Sequence, residues 1–255
     1  MLHLDLATLG AMSVVVVGHV LYGLPVRRDG RRLVSLHNGD DFQPSDAPPR
    51  PERLAGLRIV SADGAMAARA VAHEGVVAVD VTQVTAPSWL VVETSPTFIE
   101  LAPEAFARYL DHEGLTAVIA ARDGAGAATP GREIYSKHVK VAVPGAGAFH
   151  APPPLAGLPV EIQPEGPIDV GSPLALSVVV DGRPGADLQV RVHHKPRADA
   201  VPREAACLRT DGAGRVVVVI DAPGLWRLHA IDMQRHDDAA AADWRSRWAC
   251  LVFEV

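Results

Sequence analysis

A chain of 255 residues, 48% of them hydrophobic, carries apolar material for one large core or two ordinary ones. The formal net charge of -6, with no block of Lys or Arg, excludes the basic footprint of a nucleic-acid partner or of an anionic membrane surface. With only 5 Phe, 3 Tyr and 4 Trp against many Val, the composition leans towards pleated structure.

The apolar run Ala11–Val17 is far shorter than the ~20 residues of a membrane-crossing helix, so no transmembrane segment is expected. Val16 and Gly18 stand where a signal peptidase reads, which makes residues 1–18 a candidate signal segment whose removal leaves His19 as the amino terminus. The same stretch has Asp5 and neither Lys nor Arg, and Ser13–Val17 reads equally as the first strand of a cytoplasmic protein. Strand-like runs follow at Leu33–His37, Leu57–Val60, Val76–Val84 and Trp89–Glu93, with turn residues such as Asp63-Gly64 and Ala86-Pro87 between them. Pro103–Ala121 breaks the pattern. Pro at a helix start, then Glu104, Phe106, Tyr109, Leu110 and Glu113, predict one or two short helices interrupted near Gly114.

Arg132–Val143 returns to alternation, which turns Val139, Val141 and Val143 inward and His138 and Lys140 outward. Residues 144–157 are a Pro/Gly linker. Seven further runs lie beyond it, at Val160–Gln163, Leu174–Val180, Leu188–His194, Ala205–Arg209, Val216–Ile220, Leu225–Ile231 and Trp248–Val255. Turn signals such as Asp181-Gly182 and Pro223-Gly224 separate several of them, a pattern that fits an immunoglobulin-like sandwich. The expected architecture is mainly β, with two β-sandwich domains. Residues 19–143 form the N-terminal one, with its helical insert, and residues 158–255 the immunoglobulin-like one. Cys207 and Cys250 are too far apart in sequence for a zinc knuckle or a CxxC pair and read as buried core thiols, with a disulfide as the alternative.

Several segments occur in a characteristic order: Gly18-His19-Val20-Leu21-Tyr22, then Ser95-Pro96-Thr97-Phe98-Ile99-Glu100-Leu101, then Tyr109-Leu110 with Glu113-Gly114-Leu115. Gly131-Arg132-Glu133-Ile134-Tyr135-Ser136-Lys137-His138-Val139-Lys140, Pro223-Gly224-Leu225-Trp226 and the closing run from Asp243-Trp244 to Val255 complete the set. Together they resemble a family of bacterial secreted proteins known as a domain of unknown function and described as periplasmic components of cobalt/nickel uptake. The resemblance runs from His19 to the chain end. It implies a periplasmic or secreted location, a mature amino terminus at His19, and binding or delivery of a transition-metal ion such as nickel, cobalt, copper or zinc, with a membrane transporter component as partner. Where that family has a His in the strand after the Trp, this chain has Asp232, and a carboxylate in place of imidazole changes the ranking of metals.

Eleven histidines make a metal site worth seeking. His73-Glu74 and His112-Glu113 are each followed by Gly and lack the second His of an HExxH helix, so they read as surface residues. A freed His19 offers its α-amine and Nδ1 to one ion. The candidate ligands are therefore His19, His138 and Asp232. Each has an ordinary reading beside it: a first-strand His, an outward His, and a carboxylate paired with Lys140 or Arg132. Adjacent strand residues point apart, which sends His193 to solvent and His194 inward, and His236-Asp237-Asp238 lies in a polar loop. GxSxG, P-loop and strand-linked GxGxxG motifs are missing, and no enzyme is expected. The function expected is a periplasmic metal-binding or delivery accessory; the alternative is a structural or adhesion module that binds protein or carbohydrate without metal.

Overall fold

A computed structural model describes residues 20–40, 42–44, 49–73, 75–122, 124–143, 149, 151–196 and 201–255. The fold is mainly β, with three sheets and two α-helices. The chain runs through β1 (Val20–Arg28), β2 (Arg31–Asp40), β3 (Gln43–Pro44), β4 (Leu54–Ser61), β5 (Gly64–Ala67) and β6 (Ala70–His73). Then come β7 (Val76–Asp80), β8 (Ser88–Thr94), β9 (Thr97–Leu101), α1 (Pro103–His112), α2 (Thr116–Arg122) and β10 (Gly131–Val143). After the Pro/Gly stretch follow β11 (Val160–Pro164), β12 (Pro173–Val180), β13 (Arg183–Pro184) and β14 (Gln189–Pro196). The chain closes with β15 (Arg203–Arg209), β16 (Arg215–Val219), β17 (Gly224–Arg235) and β18 (Trp244–Glu254). The expected helix interruption is present, with Gly114 at φ 62 between α1 and α2. The seven C-terminal runs all form strands, and Asp181-Gly182 turns between β12 and β13 with both φ positive, as a tight hairpin demands.

The sheets stack in three layers. The largest has nine strands in the order β15-β14-β17-β18-β10-β8-β4-β5, with β9 also paired to β10. Its strands alternate between two cores. Leu90, Val92, Val139, Val141, Trp248, Cys250 and Val252 pack with α1 and with β1, β2 and β7. Trp89, Val91, Ala142, Ala249, Leu251 and Phe253 pack with β11, β12 and β16. Burial on both faces explains the uninterrupted apolar runs Trp89–Val92 and Ala249–Phe253. It also corrects the expectation for His138 and Lys140, which are 5% and 1% exposed: alternation identifies one core, but the opposite face of β10 meets a second.

β10 joins β18 in parallel, Glu133 opposite Trp244 through Val141 opposite Val252. Strands from both sides of the 144–157 stretch therefore share one hydrogen-bonded sheet. Of that stretch residues 144–148 and 150 lie outside the described residues. The remainder is fixed by a buried polar network. Lys140 Nζ donates to Glu161 Oε1 at 2.8 Å and to Gln163 Oε1 at 2.5 Å, and sits 4.5 Å from the Trp89 ring centre. Glu161 in turn accepts from the backbone N–H groups of Ala156, Gly157 and Leu158 at 2.7, 3.1 and 3.2 Å. Gln163 Nε2 and Trp89 Nε1 both donate to the Pro153 carbonyl, at 2.9 and 3.1 Å. Burial pulls the Lys140 pKa down to about 8 against the charge and hydrogen bond of Glu161, which favour its protonated form.

Lys140→Met strands the Glu161 carboxylate in the core and is expected to cost about 3–5 kcal/mol in urea unfolding. Adding Glu161→Gln removes the stranded charge, keeps an acceptor for part of the loop, and is expected to recover part of the loss. A single variant as stable as the parent would show that this ion pair does not hold the linker.

Candidate functional site

α1 presents Phe106, Tyr109 and Leu110 as its buried stripe and starts with Pro103 in the first turn. Gly114 ends it in the left-handed region. Its φ of 62 lies in the left-handed region that favours glycine, and a Cβ there would press on the end of the Gln189 side chain. The corner is fastened to the central sheet by Gln189 Nε2, which donates to the His112 carbonyl at 2.9 Å, and by Arg209 Nη2, which donates to the Gly114 carbonyl at 2.9 Å. This docking drives Glu113, 5% exposed, onto the face of β14 and β17.

There Glu113 Oε2 lies 3.0 Å from His229 Nε2 and Oε1 lies 3.0 Å from His112 Nδ1. Arg191 stands 3.9 Å from Glu113, contacts the His112 ring and pairs with Glu204. Desolvation pushes the Glu113 carboxyl up, but the charges and hydrogen bonds of His229 and His112 outweigh it and hold the group far below the usual carboxylate range. An ionised Glu113 only accepts, which assigns a proton to His229 Nε2. His229 Nδ1 is buried with no hydrogen-bond partner among the described residues. Burial first, then Arg227 and His229, push the neighbouring His193 down to about 2, leaving it neutral at ordinary pH.

These groups cap a column of rings. His193 stacks on His229 at 5.8 Å, His229 on Trp248 at 6.4 Å, and Trp248 on Tyr109 at 5.7 Å. At its foot Glu133, 2% exposed, accepts from Ser246 Oγ and from Tyr109 OH at 3.4 Å, while Trp248 Nε1 donates to Ser246 Oγ at 3.1 Å. Neutral donors do not offset its desolvation, and burial raises Glu133 to about 7. Above the column, Arg227 is 1% exposed, lies 5.4 Å from the ring centres of both Tyr22 and Phe42, and donates to the Gly39 carbonyl at 3.3 Å. Gly39 pairs with Val20, so the first described residue of β1 belongs to the same neighbourhood.

His19 lies outside the described residues. His138 and Asp232 share the opposite face of the central sheet, in step with Lys140 and Ala230, and β18 runs between their strands. His138 Nε2 is 3.0 Å from Ser136 Oγ and its Nδ1 3.7 Å from Glu93. Asp232 is bound by Arg247, at 3.0 Å from Nε and 2.6 Å from Nη2, and Arg247 also donates to Asp181 at 2.6 Å. The partner of Asp232 is thus Arg247 rather than Lys140 or Arg132, and that guanidinium stands between Asp232 and His138.

Among the described residues, no three His, Cys, Asp or Glu side chains form a group that could hold a metal. Sequence reasoning passed over Glu113, His193, His229 and Glu133. His193, expected in solvent, is 2% exposed, because it lies on the inner face of β14 stacked on His229. Both thiols are free. Cys250 is buried as expected, whereas Cys207 is exposed on the edge strand β15.

A family model described as Domain of unknown function (DUF4198) matches residues 31–234. The matched span includes Glu113, His193 and His229 and leaves out β1 and β18. No curated protein matches the chain.

The raised pKa of Glu133 gives a signed pH effect. Folded Glu133 keeps its proton between its ordinary value of 4.5 and about 7, so its contribution to stability is full below 4.5 and is lost as pH rises through 7. Glu133→Gln retains the hydrogen bonds without the ionisation. The Tm of the variant minus that of the parent is expected to climb between about pH 5 and pH 8. A flat difference would mean that Glu133 titrates as an ordinary carboxyl.

Proposed function

The chain belongs to the family Domain of unknown function (DUF4198), and from the geometry of its imidazole cluster we propose that it is a non-enzymatic binding protein for a transition-metal ion of the nickel/cobalt type. His229 supports this reading above all. A carboxylate fixes one ring nitrogen and thereby the tautomer, and the other nitrogen is buried with no hydrogen-bond partner among the described residues. Such carboxylate–histidine pairs orient metal ligands and raise their basicity. Because the described residues supply no complete ligand set, the remaining donors come from outside them. His19 directly precedes Val20, whose partner Gly39 is tied to Arg227 two residues before His229.

In this reading residues 1–18 are removed in the periplasm or outside the cell. The new α-amine and imidazole of His19 join His229 on nickel, cobalt, copper or zinc, and a membrane transporter component receives the ion. The ligand pair is His19 and His229, with Glu113 as orienter. His138, 3.7 Å from Glu93, and Asp232, bound by Arg247, lie on the far face and serve the scaffold, whose C-terminal strands we read as an immunoglobulin-like sandwich. An adhesive face would gather exposed rings, and among the described residues Phe98 is the one aromatic counted with the exposed large hydrophobic side chains.

The test is calorimetric titration of Ni, Co, Cu and Zn into protein that begins at His19 with a free amine, beside His19→Ala, His229→Ala and His138→Ala. Saturable binding that weakens at least about tenfold in the first two variants and persists in the third is expected. Loss in His138→Ala with His229→Ala unaffected would move the site to the other face of the sheet. Binding of none of the four ions would end the metal reading.

A further inference from the structure

A second polar site lies on the same side of the central sheet, in a cavity of about 260 Å³ bordered by β1, β2, β8 and β10. Arg50, Arg53 and Lys137 line it together with Asn38, Thr94 and Tyr135, and no carboxylate is among its described lining residues. The short turn Pro51–Arg53 brings the two arginines to one wall, closed by the Arg53 N–H donating to the Arg50 carbonyl at 2.9 Å. Arg53 Nη2 donates to the Ser95 carbonyl at 3.1 Å, which orients the guanidinium, while its Nε is buried with no hydrogen-bond partner among the described residues. Lys137 enters from β10. Its backbone N–H donates to Thr94 Oγ1 at 2.9 Å, so the threonine hydroxyl keeps its own proton to give.

Three cationic side chains around one cavity repel one another, and desolvation increases the cost. Burial lowers Lys137 to about 8, with the charge of Arg53 acting in the same direction and that of Asp40 against it. We propose that this cavity is a binding site for a small oxyanion, a phosphate or carboxylate group held by Arg53, Lys137 and Arg50. A planar guanidinium matches either anion with two parallel N–H donors, and the lysine adds a compact charge. A phosphate or a short dicarboxylate fits the volume, in which each displaced water accounts for roughly 30 Å³. The site shares no residue with the imidazole cluster, so it stands whether or not a metal binds there.

Calorimetry at constant ionic strength, with inorganic phosphate in one arm and malonate in the other, tests the proposal on the parent chain. The variants are Arg53→Gln, Arg50→Gln and Lys137→Met, with Arg215→Gln, an exposed residue of β16 far from the cavity, as the charge control. Saturable one-site binding of at least one anion is expected, weakened about tenfold by each cavity variant and unchanged by the control. Saturation by phosphate alone identifies a phosphate group, and saturation by malonate alone a carboxylate. Arg50 is exposed, so its variant keeps the test valid if Arg53→Gln unfolds. Failure of both anions to saturate, or an equal loss in Arg215→Gln, would overturn the site.

Discussion

Where a sheet is covered on both faces, a polar side chain on a central strand is cut off from water and must be satisfied inside the protein. β10, β17 and β18 bear this constraint with Glu133, His138, Lys140, Arg227, His229, Asp232 and Arg247, all of them buried. An isolated charge in such a place costs several kcal/mol, so the pairings are a condition of the three-layer stack rather than an addition to it. Lys140 with Glu161 closes the linker onto the sheet, and Arg247 with Asp232 ties β18 to β17 while reaching out to Asp181.

The two faces meet this demand in different ways. On the face towards β11 and β12, opposite charges meet directly: Lys140 with Glu161, Arg247 with Asp232. These four charged groups are each held by a fixed partner of opposite sign. On the face towards α1, the groups are imidazoles, a carboxylate above its ordinary pKa and another below it, joined through stacked rings. Buried groups whose pKa values are driven apart by their surroundings mark a place where chemistry or ligand binding can be supported. That contrast, more than the number of histidines, separates the two faces of the central sheet.

Much of the architecture was legible because turn chemistry and hydrophobic runs are local. The seven C-terminal runs, the helix break at Gly114 and the Asp181-Gly182 turn all rest on residues adjacent in sequence. What escaped depends on distant pairing. The parallel contact of β10 with β18 brings together residues more than a hundred positions apart, and no periodicity within either strand announces it. The second core followed the same logic: Val139, Val141 and Val143 indicate one buried face, and only β11 and β12 on the other side reveal why Lys140 is buried as well. For the site, Glu113 read only as part of a short helical segment ending near Gly114. The signal that it turns inward lies in the left-handed corner fastened by Gln189 and Arg209, which come from strands far along the chain.

The parallel seam also bears on how the site is assembled. β10 and β18 pair across more than a hundred residues, so the loop that their contact closes is long and costly in entropy. Glu113 and Tyr109 come from before that loop, His229 from within it and Trp248 from β18, which closes it. The imidazole–carboxylate pair therefore exists only when both halves share one sheet. A pair built across that seam depends on completion of the fold, since neither half alone presents both the oriented ring and the carboxylate that orients it.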